Sequence, residues 1–197
     1  MKKIFWKGGV LLAPVPPVLV TCGTMDHCNV LTVGWTGICA THPPMTYISV
    51  RPSRHSYPII RERGEFAVNL TTADMARTVD FCGVRSGKDT DKLTKCGLHL
   101  IEAEGSSTPI LAEAPVSLSC KVTQIIPLGS HDMFLAEITG TAVDAEYVDS
   151  KGRLDLQKSG LLAYAHGEYF ALGKKLGDFG FSVRKKPKYK QHKGAKR

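Results

Sequence analysis

Between Arg51 and Ser56 the chain reads Arg-Pro-Ser-Arg-His-Ser, so two guanidiniums, two hydroxyls and an imidazole fall within six residues. Guanidiniums are permanently charged forked donors, and hydroxyls add further directional ones. A helix starting here would add free backbone N–H groups and the positive end of its dipole. Arg51, Ser53, Arg54, His55 and Ser56 are therefore candidates for holding an oxyanion, a phosphate above all. A solvated, capped helix start has the same composition, and these residues alone do not choose between the two.

Upstream, Asn29-Val-Leu-Thr32-Val-Gly34-Trp35-Thr36-Gly37 interleaves an amide and hydroxyls with two glycines and an indole. Glycines allow a flat ligand close to the backbone, and an indole can form its wall. A bulged strand with a core tryptophan is the competing reading. Ser86–Lys92 carries Lys88 and Lys92 around Asp89 and Asp91. As bare charges they describe a solvated loop. His131, in Gly-Ser-His-Asp, sits at a turn and is compatible with simple turn chemistry. Cysteines stand at 22, 28, 39, 82, 96 and 120, none spaced C-x-x-C and none completed by a histidine pair. They read as small buried apolar residues in a reducing compartment, with no metal site expected.

The elements that must position these groups follow from pattern. Val18–Cys22 is a short β-type run. From Cys28 to Ser56 the chain reads as two strands, Val30–Trp35 and Met45–Val50, joined at Pro43–Pro44, which cannot lie inside a central strand. Ser53 is a candidate N-cap for a helix over residues 54–63, with Gly64 as its C-cap. Glu65–Leu70 reads as a strand. Thr71 or Thr72 would cap a helix over Ala73–Cys82 that Gly83 ends. Residues 97–112 have no clear period. Pro115–Pro127 alternates strongly and predicts a long strand, with Met133–Val143 as its hairpin partner. Short strands or turns follow at Leu161–Tyr164 and Glu168–Leu172, and disorder is expected beyond Phe181. Five or six strands with two or three short helices describe an α+β chain on an antiparallel sheet or barrel. No GxGxxG follows a strand, which argues against a Rossmann dinucleotide domain.

The chain has 197 residues, 43% of them hydrophobic, and suits one domain. Its net charge of +8 is local: residues 184–197 hold eight Lys/Arg and no acid, leaving 18 basic against 18 acidic residues in 1–183. The expected division is thus a domain over 1–183 and a basic, disordered tail over 184–197. Such a tail is open to non-specific nucleic-acid or acidic-surface binding, or to a merely solubilising role. The N-terminus, MKKIFWKGGVLLAPVPP, is too short and too broken for a signal peptide, and no run approaches a membrane span. A cytoplasmic protein is expected.

Taken in order, several segments resemble the flavin reductase-like, FMN-binding split-barrel family, and within it the flavoredoxin-type group. They are Pro17–Cys22, Asn29-x-x-Thr32-x-x-Trp35-x-Gly37, Pro43-Pro44, and Arg51–Tyr57. Gly64–Leu70, Phe81-Cys-Gly83-x-x-Ser86-Gly-x-Asp-x-Asp91-Lys92, Pro115-x-x-x-x-Cys120-Lys-Val and Gly129-Ser-His131-Asp complete the set. The resemblance runs from about residue 12 to 175. It implies an α+β, mainly β fold, an FMN-binding split β-barrel with a few short helices, as a homodimer with FMN near the interface. It implies that Arg51, Ser53, Arg54, His55 and Ser56 surround the FMN phosphate. Asn29, Thr32, Trp35 and Thr36 would line the ring and ribityl chain, and Asn69, Ser86, Asp91 and Lys92 would complete the site. His131 would lie at the flavin edge where the reductant approaches. The implied activity is transfer of reducing equivalents from NAD(P)H to flavin, ferric or other small-molecule or redox-protein acceptors. The alternative is a flavoredoxin-like carrier reduced by a protein partner. Cys28 stands where the family pattern leads one to expect Gly, so a side chain there would narrow the approach to the flavin. The basic tail lies outside the family pattern.

Overall fold

The computed structural model describes residues 1–184. Its main sheet has seven antiparallel strands: β1 (Val18–Gly23), β2 (Cys28–Val33), β3 (Thr36–Thr41), β4 (Pro44–Val50), β5 (Glu65–Asn69), and the long pair that follows. That pair takes the labels β8 (Val116–Pro127) and β9 (Asp132–Val143), because β6 (Leu100–Ile101) and β7 (Ile110–Leu111) form a small hairpin between β5 and β8. β10 (Leu162–Ala165) and β11 (Glu168–Ala171) form a third, C-terminal hairpin. Among the described residues there are three short α-helices: α1 (Ser56–Arg63), α2 (Ala76–Val84) and α3 (Lys92–Cys96).

The strand order β2-β1-β5-β8-β9-β4-β3 places β2 and β3 at the two edges. Only Gly34 and Trp35 separate these strands in sequence. Two residues reach roughly 10 Å at most, so the edges must meet and the sheet curls into a barrel. The Trp35 carbonyl accepts from the Ser49 N–H of β4 at 2.9 Å, which ties this junction down.

Side-chain alternation fills the barrel. Val18 and Val20 of β1, Leu31 and Val33 of β2, Ile48 and Val50 of β4, Phe66 and Val68 of β5, and Phe134 and Ala136 of β9 share one buried cluster. The opposite face of β1 and β2 is covered as well. Leu19 and Val30 pack with Val79 and Cys82 of α2 and with Leu162 of β10. With both faces buried, β1 can be apolar without interruption.

Several expectations are corrected. The run Val30–Trp35 is not one strand: the chain breaks at Gly34–Trp35 and a further strand, β3, precedes the proline turn. Pro44 opens β4 opposite Thr41, where the first residue of a strand tolerates proline. Ser53 does not cap α1. A turn closed by Arg54 N–H on the Arg51 carbonyl (3.0 Å) delays the helix, and His55 is its N-cap without a side-chain bond. Gly64 does end it, at φ 67°. Thr71 caps nothing, since its hydroxyl donates to the Pro17 carbonyl at 2.6 Å. Residues 73–75 form a 3₁₀ turn before α2. α2 runs through Gly83 to Val84, so Gly83 is not its stop. A Cβ on it would make an ordinary van der Waals contact with the Thr32 side chain, at 3.4 Å. Residues 97–112, expected to be irregular, contain β6 and β7, and Phe181–Val183 forms a single 3₁₀ turn where disorder was expected. Apart from Arg184, the tail expectation falls outside the described residues.

Candidate functional site

The turn at residues 51–55 stands at the end of β4 and faces the C-terminal end of α2. Arg54 Nη1 donates to the Gly83 carbonyl at 3.0 Å, fixing that relation. Asn29 of β2 donates through Nδ2 to Ser56 Oγ at 2.5 Å, and Ser56 is almost wholly buried. Gly87 closes over the same amide: a Cβ on it would stand 2.0 Å from Asn29 Oδ1. Only a residue without a side chain fits there while Asn29 keeps its place.

These elements enclose a cavity of about 240 Å³. Asn29, Arg51, Ser53, Arg54, His55, Ser56, Ser86 and Lys92 line it, joined by Arg85, Gly87 and Cys82. Its lining includes four Lys/Arg side chains and no carboxylate. The Lys92 side chain is buried, and its Nζ donates to the Cys82 carbonyl at 3.2 Å. Burial pushes its ammonium below the ordinary lysine range, and the nearby Arg54 charge adds to this. A buried ammonium without a counter-charge, facing exposed arginines across the cavity, raises the energy of the folded protein. An anion in this cavity would relieve it.

A second cavity, of about 230 Å³, shares Leu31, Arg51 and Arg54 with the first. The chain from Thr32 to Trp35 forms one wall, and Tyr164 and Tyr169 form another. The two tyrosine rings lie 5.3 Å apart at 59°. Tyr169 donates to Asp80 Oδ1 at 3.3 Å, and burial together with that carboxylate pushes its phenol up to about 12. The Tyr169 ring therefore stays neutral. β4 and β9 pair with Val50 opposite Asp132, so His131, one residue earlier, stands at the cavity beside Arg51. Its Nδ1 lies 3.0 Å from Ser130 Oγ.

Burial first, then Arg51 and Arg54, hold the His131 imidazole below its usual 6.5. The folded protein therefore binds this proton less firmly than the unfolded chain does. This contribution to stability is present above pH 6.5 and is lost as pH falls from there through the folded value. The His131 ring signals, followed by NMR, should titrate below 6.5, and Arg51→Ala should move the midpoint upward. A midpoint at or above 6.5 in the unsubstituted protein would contradict this picture.

Not every expected residue is brought here. Thr32 and Trp35 line the second cavity, with the Thr32 hydroxyl donating to the Val79 carbonyl of α2 at 2.5 Å. Thr36 stands in an adjoining groove, its hydroxyl spent on the Tyr47 carbonyl at 2.6 Å. Asp91 lines neither cavity. It is the N-cap of α3, accepting from Thr94 N–H at 3.1 Å and from the Thr94 hydroxyl, which together hold its carboxyl below the usual range. Asn69 is a core residue with no exposure. Its Nδ2 donates to the Leu19 carbonyl and Thr21 Oγ1, and its Oδ1 accepts from Leu111 N–H and Ser117 Oγ. With both donors and both lone pairs used, nothing remains for a ligand. Cys28 borders a separate hollow with His55 and Gly87, away from the aromatic walls. Burial pushes its thiol up to about 12. Arg85, Ser49, Tyr164 and Tyr169 were not singled out from sequence. The neighbouring Ser86 could have flagged Arg85, whereas the tyrosines carry no local signal. Among the described residues no His/Cys/Asp/Glu group is arranged to hold a metal, and no helix is long and apolar enough to cross a membrane.

A sequence profile described as the flavin reductase like domain matches residues 11–173. The structure superposes on the flavoredoxin of Desulfovibrio vulgaris (Miyazaki F) with a TM-score of 0.85 and 29% identity, over 93% of this chain and 100% of that one. An uncharacterized protein of Aeropyrum pernix is 29% identical over 128 residues, 64% of this chain, and the match spans about half (49%) of that relative. A protein of Variovorax paradoxus named FMN reductase (NADH) RutF is 28% identical over 111 residues, 55% of this chain and 59% of that one.

Proposed function

We propose, from the premise that the chain belongs to the flavin reductase like domain family, that it binds FMN and acts as an oxidoreductase between NAD(P)H and a flavin, ferric or other acceptor. The mainly β, α+β fold is the split barrel of that family. The observation that carries the proposal is one continuous site of two characters. A cavity rich in cations and free of carboxylates opens, through Leu31, Arg51 and Arg54, into one walled by aromatic rings.

The residues present fit FMN. The donor set suits a phosphate dianion, and the second cavity offers a partly aromatic slot for a flat ring, with Arg51 and Arg54 at the end shared with the first. Arg51, Ser53, Arg54, His55, Ser56, Ser86 and Lys92 would hold the phosphate, with Asn29 locked in place by Gly87 and Ser56. Thr32, Trp35 and Tyr164 would wall the remainder, and neutral His131 would stand at its open edge. Bound FMN supplies the hydride and electron chemistry, so the protein's task is placement and electrostatics.

A second reading is favoured by the likeness to a flavoredoxin over 93% of the chain: an electron carrier reduced by a protein partner, without NAD(P)H activity of its own. One experiment serves both. The purified chain, titrated with FMN, should quench flavin fluorescence to a stoichiometric end point, and anaerobic NADH or NADPH should then bleach the bound flavin. No FMN affinity sinks both readings, and binding without fast bleaching leaves the carrier alone.

We also place the protein as a homodimer with the cofactor near the interface. Val84 on the rim of the cation-rich cavity is 71% exposed and Ile38 on the edge strand β3 is 68% exposed, apolar surface that a second copy would cover. Six free thiols suit a reducing compartment, the cytoplasm.

A further inference from the structure

A groove of about 500 Å³ adjoins the aromatic cavity. Tyr47 and Met133 form its floor, on the outer face of β4 and β9, since their neighbours Ile48 and Phe134 point into the barrel core. The N-terminal segment walls one side through Leu11 and Leu12, and Leu128 closes the other. That segment is held by reciprocal backbone bonds between Val15 and Tyr164, each 2.9 Å. Gly34, Trp35, Ser49 and His131 line both the groove and the aromatic cavity, so the two are continuous.

The chemistry of the groove is the reverse of the phosphate cavity. None of its lining residues is Lys, Arg, Asp or Glu. Leu12 (87%) and Leu128 (56%) leave much apolar surface to water. Two donors at its edge are spent: the Thr36 hydroxyl on the Tyr47 carbonyl, and the Ser49 N–H on the Trp35 carbonyl. Among its lining residues the Tyr47 phenol and the His131 imidazole can donate to a ligand, as can the Trp35 indole N–H and the Ser49 hydroxyl.

We propose that this groove is the acceptor site and that it takes an uncharged, planar, conjugated carbonyl compound of the quinone type. The assignment rests on the cofactor reading above. A flat apolar ring gains free energy in proportion to the apolar area it removes from water. Its carbonyl oxygens accept from Tyr47 and His131. An anionic acceptor would lose its hydration with no cation to replace it. In the net reaction a reduced nicotinamide gives up a hydride and solvent gives one proton. The quinone's two C=O bonds become C–OH, and the nicotinamide leaves oxidised.

The test is isothermal titration of the full chain, with and without FMN, using hydroxymethylanthraquinone and the near-isosteric anthraquinonesulfonate. The uncharged compound should bind at one site per chain, about tenfold or more tighter than the sulfonate. Leu11→Arg, at a residue 52% exposed and outside the cofactor cavities, should invert that preference and leave FMN affinity unchanged. Equal affinities, or a preference that Leu11→Arg does not alter, would overturn the assignment. So would quinone affinity that falls as protein concentration rises, the sign of a second copy seated in the groove. Quinone binding in a chain that takes no FMN would retire the cofactor reading while leaving the groove's ligand preference intact.

Discussion

Lys92→Met is expected to lower FMN affinity roughly 10- to 100-fold while changing stability by no more than about 1 kcal/mol. The two effects separate because the ammonium is buried where it helps a ligand more than it helps the fold. Among the described residues its hydrogen-bond partner is the Cys82 carbonyl. Burial and Arg54 hold its pKa down, so at neutral pH the charged form is less favourable in the folded chain than in the unfolded one. Methionine keeps most of the volume and removes that penalty. It also removes a charge-assisted donor from the cavity, which three arginines cannot replace at the same position. Flavin-fluorescence titration and urea unfolding of the variant check the two halves. Wild-type FMN affinity in a well-folded variant would mean that the phosphate lies elsewhere.

Asn69→Ala should do the opposite, lowering stability by about 3 kcal/mol or more while FMN affinity, measured on the folded fraction, stays near wild type. The Asn69 amide is a four-way joint between β5, β1, β7 and β8. Removing it strands the Leu111 N–H and leaves Ser117 and the Leu19 carbonyl a bond short in a dry core. Each unsatisfied group costs about 1–3 kcal/mol, and the lost volume adds a cavity. Chemical denaturation measures the loss. A stable Asn69→Ala protein with impaired FMN binding would return Asn69 to the ligand site.

These two residues mark where sequence reading reaches and where it stops. The corner Arg51–Ser56 was legible as an oxyanion candidate because cations and hydroxyls crowd within six residues, whereas Lys92 read as part of a solvated loop and entered only through the family resemblance. The long β8–β9 hairpin was legible because alternation sustained over a dozen residues matches the two-residue period of a strand and not the period of a helix. Asn69 and Asp91 belong to the same apparent set, yet one is a core joint and the other a helix cap. Their partners decide this: Asn69 is tied to Leu19 and Ser117, 50 and 48 residues away. Asp91 caps a five-residue helix that leaves too faint a period to be noticed. Tyr164 and Tyr169 reach the site because the β10–β11 hairpin is tied to Val15, to Thr71 and to Asp80, contacts that no window of sequence contains. The Gly34–Trp35 break was hidden because the apolar run continues across it.

That break also sets the entropy of closing the barrel. Joining the two ends of a flexible chain costs more the longer the loop between them. Here the edges of a seven-stranded ring are consecutive strands, so the seam is shut by a two-residue link instead of by a long excursion. The same link is a wall of the aromatic cavity and of the groove beside it. Any breathing of the ring at its seam is therefore a change in the width of the ligand slot, and a ligand that fills the slot acts as a rivet across the seam.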